Sequence, residues 1–359
     1  MKIGTDQYNT FDTMTMDCWN DRVYYEGKEF PAGQFAAEIL NFAGVIHDPL
    51  LERITVLTAL VDDLSTAEKS KRHDIAAQLK PLLHDTVSWL YTCPPFCYCE
   101  EQRAYEALEH ALSEERLDRD YEEEEAHLPY LALSFCEPIL RILVAIYNFC
   151  LFIRAFEKKY LRRAKRRNAD AFAKAAHECF DEDDSFLILL EQMPFGGVEE
   201  FFSYPRVITG FKYFQDENNE EKWKTAQRVI CKRAIDFYVF DLMNGLHHGH
   251  APSQCQGCGR YFLTTNGHIP KYCDGIAPQD SRYTCRQYGA MMHQKEQNKQ
   301  HPVYRLFNTR TDTIRKHHQR GKISDDLRRE ALYLAESYRD KALMDNDYAA
   351  DGYARDMEL

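Results

Sequence analysis

What the sequence lacks first is a long apolar run. The longest uncharged one, Ile142 to Ile153, has twelve residues, short of the roughly 20 that a helix needs to cross a bilayer. Extending it upstream takes in Arg141 and Glu137, so a buried core helix is expected there, with no membrane contact. The stretch Met1 to Thr15 is polar and has none of the apolar core of a secretory leader, so a cytoplasmic location is expected. Catalytic signatures are missing as well: there is no Gly-x4-Gly-Lys-Ser/Thr, Gly-x-Gly-x-x-Gly, His-Glu-x-x-His or Gly-x-Ser-x-Gly. Their absence leans away from an enzyme and leaves any small-molecule substrate unknown. Positive charge is also in deficit. With 45 basic against 57 acidic residues the formal charge is -12, so any contact with nucleic acid must be local to one segment.

What remains is an ordinary globular composition. The chain has 359 residues, 44% hydrophobic and 28% charged, which suits two or three folded units and excludes collagen-like, coiled-coil or disordered classes. Arg22 to Tyr25 and Glu29-Phe30, joined by Glu26-Gly27-Lys28, predict a small β-hairpin element within residues 1–32. Residues 33–250 predict a helical body. Asp48-Pro49 marks a helix start, and Leu50, Ile54, Leu57, Val61 and Leu64 follow at helical spacing. Further helices are expected at about 67–91, 100–118, 128–167, 170–192 and 222–246. An acidic run, Glu122 to Glu125, and a basic stretch, Lys158 to Arg167, read as solvated faces, an internal pair or a phosphate-contacting strip.

Twelve cysteines in a chain expected to stay inside the cell point to metal ligands or buried small hydrophobes before disulfides. Four of them have order. Cys255, Cys258, Cys273 and Cys285 follow the spacing Cys-x2-Cys-x14-Cys-x11-Cys. Two residues between Cys255 and Cys258 let both sulfurs face one ion, and glycines at 257 and 259 permit the turn. Tyr261 to Leu263 and Ile269 to Tyr272 are expected to pair as a hairpin that returns Cys273 to the metal. Thr284 is expected to cap a helix that begins at Cys285, where the helix end favours a thiolate. Four soft thiolates in a closed set point to one structural Zn²⁺, in a treble-clef or zinc-ribbon arrangement over residues 251–300. Two C-terminal helices are expected within 301–359. Second sites built from Cys93, Cys97 and Cys99, from His247, His248 and His250, or with His268, stay open.

Charge separates this segment from the rest. Residues 255–320 hold eleven basic and four acidic side chains, a net +7, against -15 for residues 1–254 and -4 for 321–359. Arg260, Arg282, Arg286, Arg305, Lys316 and Arg320 are the candidate nucleic-acid contacts. On a helix over 302–320, Val303, Phe307 and Ile314 share one side while Arg305, Lys316 and Arg320 share the other. Alternatively, Arg260, Lys271, Arg282 and Arg286 offset the formal -2 of a four-thiolate zinc site.

Cys255-Gln-Gly-Cys-Gly-Arg-Tyr-Phe, Lys271-Tyr-Cys-Asp, Thr284-Cys-Arg-Gln and Arg320-Gly-Lys-Ile-Ser resemble an uncharacterised bacterial family, met mainly in Firmicutes and mobile elements, over about 255–330. The segment is also similar to the zinc fingers that end many bacterial transcription regulators, which have a shorter gap between their third and fourth cysteines. The combined expectation is a mainly α protein with a small N-terminal β element and a C-terminal treble-clef-like zinc module. As a function, it implies a regulatory or mobile-element protein contacting DNA or RNA. The alternative is a protein-interaction module in which zinc is purely structural and the acidic body recruits a protein partner; an enzyme with its site in the helical body is the third reading.

Overall fold

A computed structural model describes residues 13–42, 49–118, 121–123, 126–128, 130–164, 166–185, 188, 206–216, 219–267 and 270–358. The chain is mainly helical with a small sheet at its N-terminus. It divides into two compact units, Met1–Cys255 with Gly259–Pro270, and Gln256–Cys258 with Lys271–Leu359.

In the first unit, β1 (Met14–Trp19), β2 (Arg22–Tyr25) and β3 (Lys28–Pro31) form successive antiparallel hairpins. The turn between β2 and β3 is Glu26-Gly27 with φ of 47° and 74°, the left-handed pair that a two-residue hairpin turn demands. The sheet does not stop there. β6 (Val207–Asp216) and β7 (Asn219–Cys231) complete a five-stranded sheet in the order β3-β2-β1-β7-β6, after a small pair, β4 (Tyr121–Glu123) and β5 (Ala126–Leu128). The helix expected over 222–246 is therefore strand to Cys231, and helix only from Ala234. Ala226, Val229 and Ile230 satisfy a helical spacing, but β7 pairs along β1, from Met14 opposite Cys231 to Cys18 opposite Gln227. That pairing buries Met14, Met16, Val229 and Cys231 on one face.

The helices are α1 (Gln34–Glu38), α2 (Pro49–Thr66), α3 (Lys69–Leu90), α4 (Gln102–Ala111), α5 (Glu114–Leu117), α6 (Tyr130–Lys159), α7 (Ala169–Phe180) and α8 (Ala234–His247). On α2 the buried residues are Leu50, Ile54, Leu57, Val61 and Leu64, the stripe that the periodicity marks out. Each such side chain contributes about 1.5–3 kcal/mol when fully buried. The helical stretch Ala132–Arg163 is long and apolar enough to cross a membrane, and 67% of its most apolar window is buried inside the protein. The expected helix over 170–192 is described to Phe180 as α7, and much of its remainder lies outside the described residues. Cys18, Cys136, Cys150, Cys179 and Cys231 are buried thiols, packed as small hydrophobes.

Two backbone segments meet closely in this core. A Cβ on Gly245 of α8 would lie 2.8 Å from the Cα of Gly33, which itself has φ of 88°. That approach lets Asp241 of α8, fully buried, accept from the backbone N–H groups of Gly33 and Ala36, both at 2.9 Å. It thus satisfies donors at the start of α1 that no local side chain caps.

The second unit contains β10 (Ile276–Ala277), β11 (Asp280–Thr284), α9 (Cys285–Gln300), α10 (Pro302–Gln319), α11 (Asp325–Met344), α12 (Asn346–Asp351) and α13 (Tyr353–Asp356). Ser324 caps α11 by accepting from Leu327 N–H, as its position in the sequence predicts. Val303, Ala335, Ala342, Tyr353 and Met357 form the core that joins α10, α11 and α13.

Candidate metal centre

β8 (Ala251–Gln254) and β9 (Tyr261–Thr264) pair antiparallel, with Gln254 opposite Tyr261. The partner of β9 is therefore the strand behind it rather than Ile269 to Tyr272; Ile269 lies outside the described residues, and Lys271 and Tyr272 are not strand. The connection between β8 and β9 is the knuckle. Cys255 N–H donates to Arg260 O at 2.8 Å and Gly259 N–H returns to Cys255 O at 2.9 Å. Gly259 has φ of 75°, a left-handed conformation that favours glycine.

The later ligands are set by a second hairpin and a helix start. Cys285 N–H donates to Gly275 O at 2.7 Å, and Arg286 N–H to Cys273 O at 3.1 Å. These two bonds tie the third and fourth cysteines to one another. Thr284 accepts from Gln287 N–H while the Gln287 side chain accepts from Thr284 N–H, a capping box that fixes α9 from Cys285 onward. Gly289, one turn on, lies under Tyr272: a Cβ there would fall 2.5 Å from the ring.

The four sulfurs all lie within 4.8 Å of one another, with Cys255 and Cys285 buried and Cys258 and Cys273 half-buried. Cys258 Sγ and Cys273 Sγ are 3.7 Å apart. A disulfide would bring them to about 2 Å, whereas the edge of a tetrahedron with metal–sulfur distances of about 2.3 Å is about 3.8 Å. The donor set thus fits a tetrahedral ion and leaves no open position among its four thiolates. Among the described residues it is the only group of three or more histidine, cysteine or acidic ligands gathered closely enough to hold a metal. Cys93 is buried in the core, Cys97 is exposed, and Cys99 is bonded to Tyr25 Oη. His250 is buried with Nδ1 against Ala32 O, while His247 and His248 are exposed. His268 lies outside the described residues.

All six candidate cations are exposed, but their surroundings divide them. Arg282 forms a two-pronged pair with Asp280, which holds that carboxyl down at about 2. Arg286 pairs with Asp274 at 3.1 Å. Glu38 is pushed up by burial, an effect offset in part by the hydrogen bond from Gln34 and, less, by the charge of Arg260. Local carboxylates thus pair with two of the six, Arg282 and Arg286. Arg305, Lys316 and Arg320 all belong to the α10 segment, with no ion pair among the described residues. The basic stretch that ends α6 turns partly inward: Arg162 pairs at 2.9 Å with buried Glu157, and buried Arg167 donates to Thr264 of β9. Sequence reasoning missed Asp274 and Asp280 as the partners of the module's arginines; the short separation Asp280-Ser-Arg282 was the available signal.

The chain matches no curated protein and no solved structure. Residues 203–359, which span β6 to the C-terminus and include all four clustered cysteines, match the model of a family of unknown function, DUF6076.

Proposed function

We propose that the chain is a zinc-binding, cytoplasmic bacterial regulatory or mobile-element protein that contacts nucleic acid through the basic segment built on its cysteine site. The ion is one structural Zn²⁺, because four thiolates in a closed tetrahedral set suit zinc and leave no place for a substrate. Knuckle, hairpin and helix-start ligand in this order are a treble-clef-like arrangement. The carrying observation is that four convergent sulfurs lie within a segment, residues 255–320, whose net charge is +7 in a chain of net charge -12. When bound, the ion supplies fold and charge neutralisation rather than chemistry. Arg260, Arg282, Arg286, Arg305, Lys316 and Arg320 are the proposed contacts, with Arg305, Lys316 and Arg320 foremost because no carboxylate pairs with them among the described residues.

The test is anisotropy of labelled DNA and RNA oligonucleotides against the purified chain from about 50 to 200 mM salt, beside Cys258→Ser. Binding that falls steeply with salt and is lost with the ion supports the reading, and no binding at the lowest salt overturns it.

One observation favours the alternative, a protein partner recruited by the body. Phe211, Tyr213 and Trp223 are 72%, 67% and 65% exposed. They share one face of the β6–β7 ribbon, and β6 is an edge strand. Exposed apolar surface on a sheet edge is a recurrent protein-binding feature. Loss of a co-purifying protein on Tyr213→Glu would support that reading.

A further inference from the structure

Helix α10 is amphipathic in an uneven way. Val303, Thr311 and Ile314 are buried, and Leu306 and Phe307 pack on the neighbouring core. Tyr353 of α13 donates to Val303 O at 3.0 Å, and Arg339 of α11 lies over the Phe307 ring at 4.7 Å. One side is thus fixed by packing. The other is exposed along the whole helix and carries its polar groups in order.

Arg305, Asp312 and Gln319 recur every seven residues, so they drift only about 20° per step and form one line along the exposed face. At about 100° per residue, Arg315 lies about 60° to one side of Asp312, and Lys316 and Arg320 lie about 40° and 80° to the other. Cations therefore flank a central line of side chains that can read base edges. From Arg305 to Asp312 the rise is about 10 Å, close to three base-pair steps of about 3.4 Å.

From this arrangement we infer that α10 is a duplex-DNA reading helix, lying in the major groove with its flanking cations on the bounding phosphates. The inference rests on the nucleic-acid reading above. The flanking charges complement a polyanion whose phosphates run along both edges of a groove. The central line matches base chemistry: arginine for guanine, glutamine for adenine and aspartate for the cytosine amino group. Asp312 is the discriminating residue. A carboxylate weakens contact with phosphate, so its place in the middle of a basic face suits a position over bases. Arg315 Nη1 lies 3.4 Å from Asp312 Oδ1, an exposed pair that base contact by Asp312 would replace at little cost. Double-stranded RNA is disfavoured because its major groove is too deep and narrow for a helix. Single strands are disfavoured because the central line of α10 holds no aromatic and a single half-buried tyrosine, Tyr304, lies beside it, where single-strand binders stack successive bases on several rings.

The experiment titrates the full zinc-loaded chain against a DNA duplex, its single strand and an RNA duplex of equal length, followed by selection from a random duplex pool. The expected result is a preference for duplex DNA of tenfold or more. Replacing Lys316 and Arg320 together by alanine should reduce the slope of log affinity against log salt by about two. Asp312→Ala should change the selected sequence while binding to an unrelated duplex is kept or strengthened. Circular dichroism and metal stoichiometry establish that these surface variants fold. If duplex DNA binds but the α10 variants keep the wild-type slope and selected sequence, or if single strands or RNA are preferred, this inference falls while the broader reading stands. If no nucleic acid binds at any salt, both fall.

Discussion

Gly289 shows how one missing side chain shapes the cysteine site. Alanine in a helix is ordinarily favoured over glycine by about 0.5–1 kcal/mol, yet its Cβ at 289 would sit 2.5 Å from the Tyr272 ring. Overpacking of this kind costs about 1–3 kcal/mol. Gly289→Ala should therefore lower the melting temperature of the second unit, and Tyr272→Ala in the same chain should relieve most of the effect in a double-mutant cycle. Asp241 gives a pH prediction. Burial, its largest influence, pushes its carboxyl up from 3.8 to about 7 although two backbone N–H groups donate to it. The folded chain thus holds a proton that the unfolded chain has released. The stability linked to this group is fully present below about pH 3.8 and is lost as pH rises through 7, on the order of a few kcal/mol. Urea midpoints between pH 4 and 8 should show that decline, and Asp241→Asn should flatten it. At this scale the four cysteines were legible because a knuckle has a fixed spacing. The quenching of Arg282 and Arg286 was not, because it depends on how the 270–284 backbone folds.

Elements were legible where their stabilising contacts repeat locally. The stripe on α2 shows its period within one helix, and Thr284 with Gln287 marks the start of α9 within one turn. Thr284→Ala removes the accepting half of the capping box. It should cost about 0.5–2 kcal/mol and, because Cys285 is the first residue of α9, speed release of a bound metal ion to a chromogenic chelator; unchanged release would show that the metal alone fixes that turn. β7 was illegible for the converse reason. Its choice of strand over helix is made by β1, some two hundred residues earlier, which no local window contains. The partner of β9 was misassigned because Ala251-Pro-Ser-Gln254 carries no local strand signal; β8 is joined to it by the ladder that pairs Ala251 with Thr264, whose hydroxyl donates to Ala251 O.

For the whole molecule, the two units differ in how they are held. The first has a large apolar core running from the sheet through α6 and α8. In the second, the described residues of the stretch from 271 to 300 bury few apolar side chains of their own, Ala277 and Cys285 among them. Small modules of this kind draw their folding energy from metal. Chelation should therefore abolish amide-exchange protection across 271–300 and leave protection in α6, between Ile139 and Phe156, intact. Uniform loss across the chain would show instead that the metal supports both units.

The hairpin that bears the first two cysteines is tied to the body by specific polar contacts. Asn41 holds Tyr261 by both backbone groups, its Oδ1 accepting from Tyr261 N–H at 2.7 Å and its Nδ2 donating to Tyr261 O at 3.1 Å. Arg167 reaches Thr264 from the end of the basic stretch, and Thr264 in turn donates to Ala251 O. The finger is consequently not a portable cassette. A fragment cut at Ala251 would carry all four sulfurs into solution yet leave Tyr261 and Thr264 without the anchors that set the strand beneath the knuckle, so transplanting this finger onto another scaffold would require grafting Asn41 and Arg167 as well.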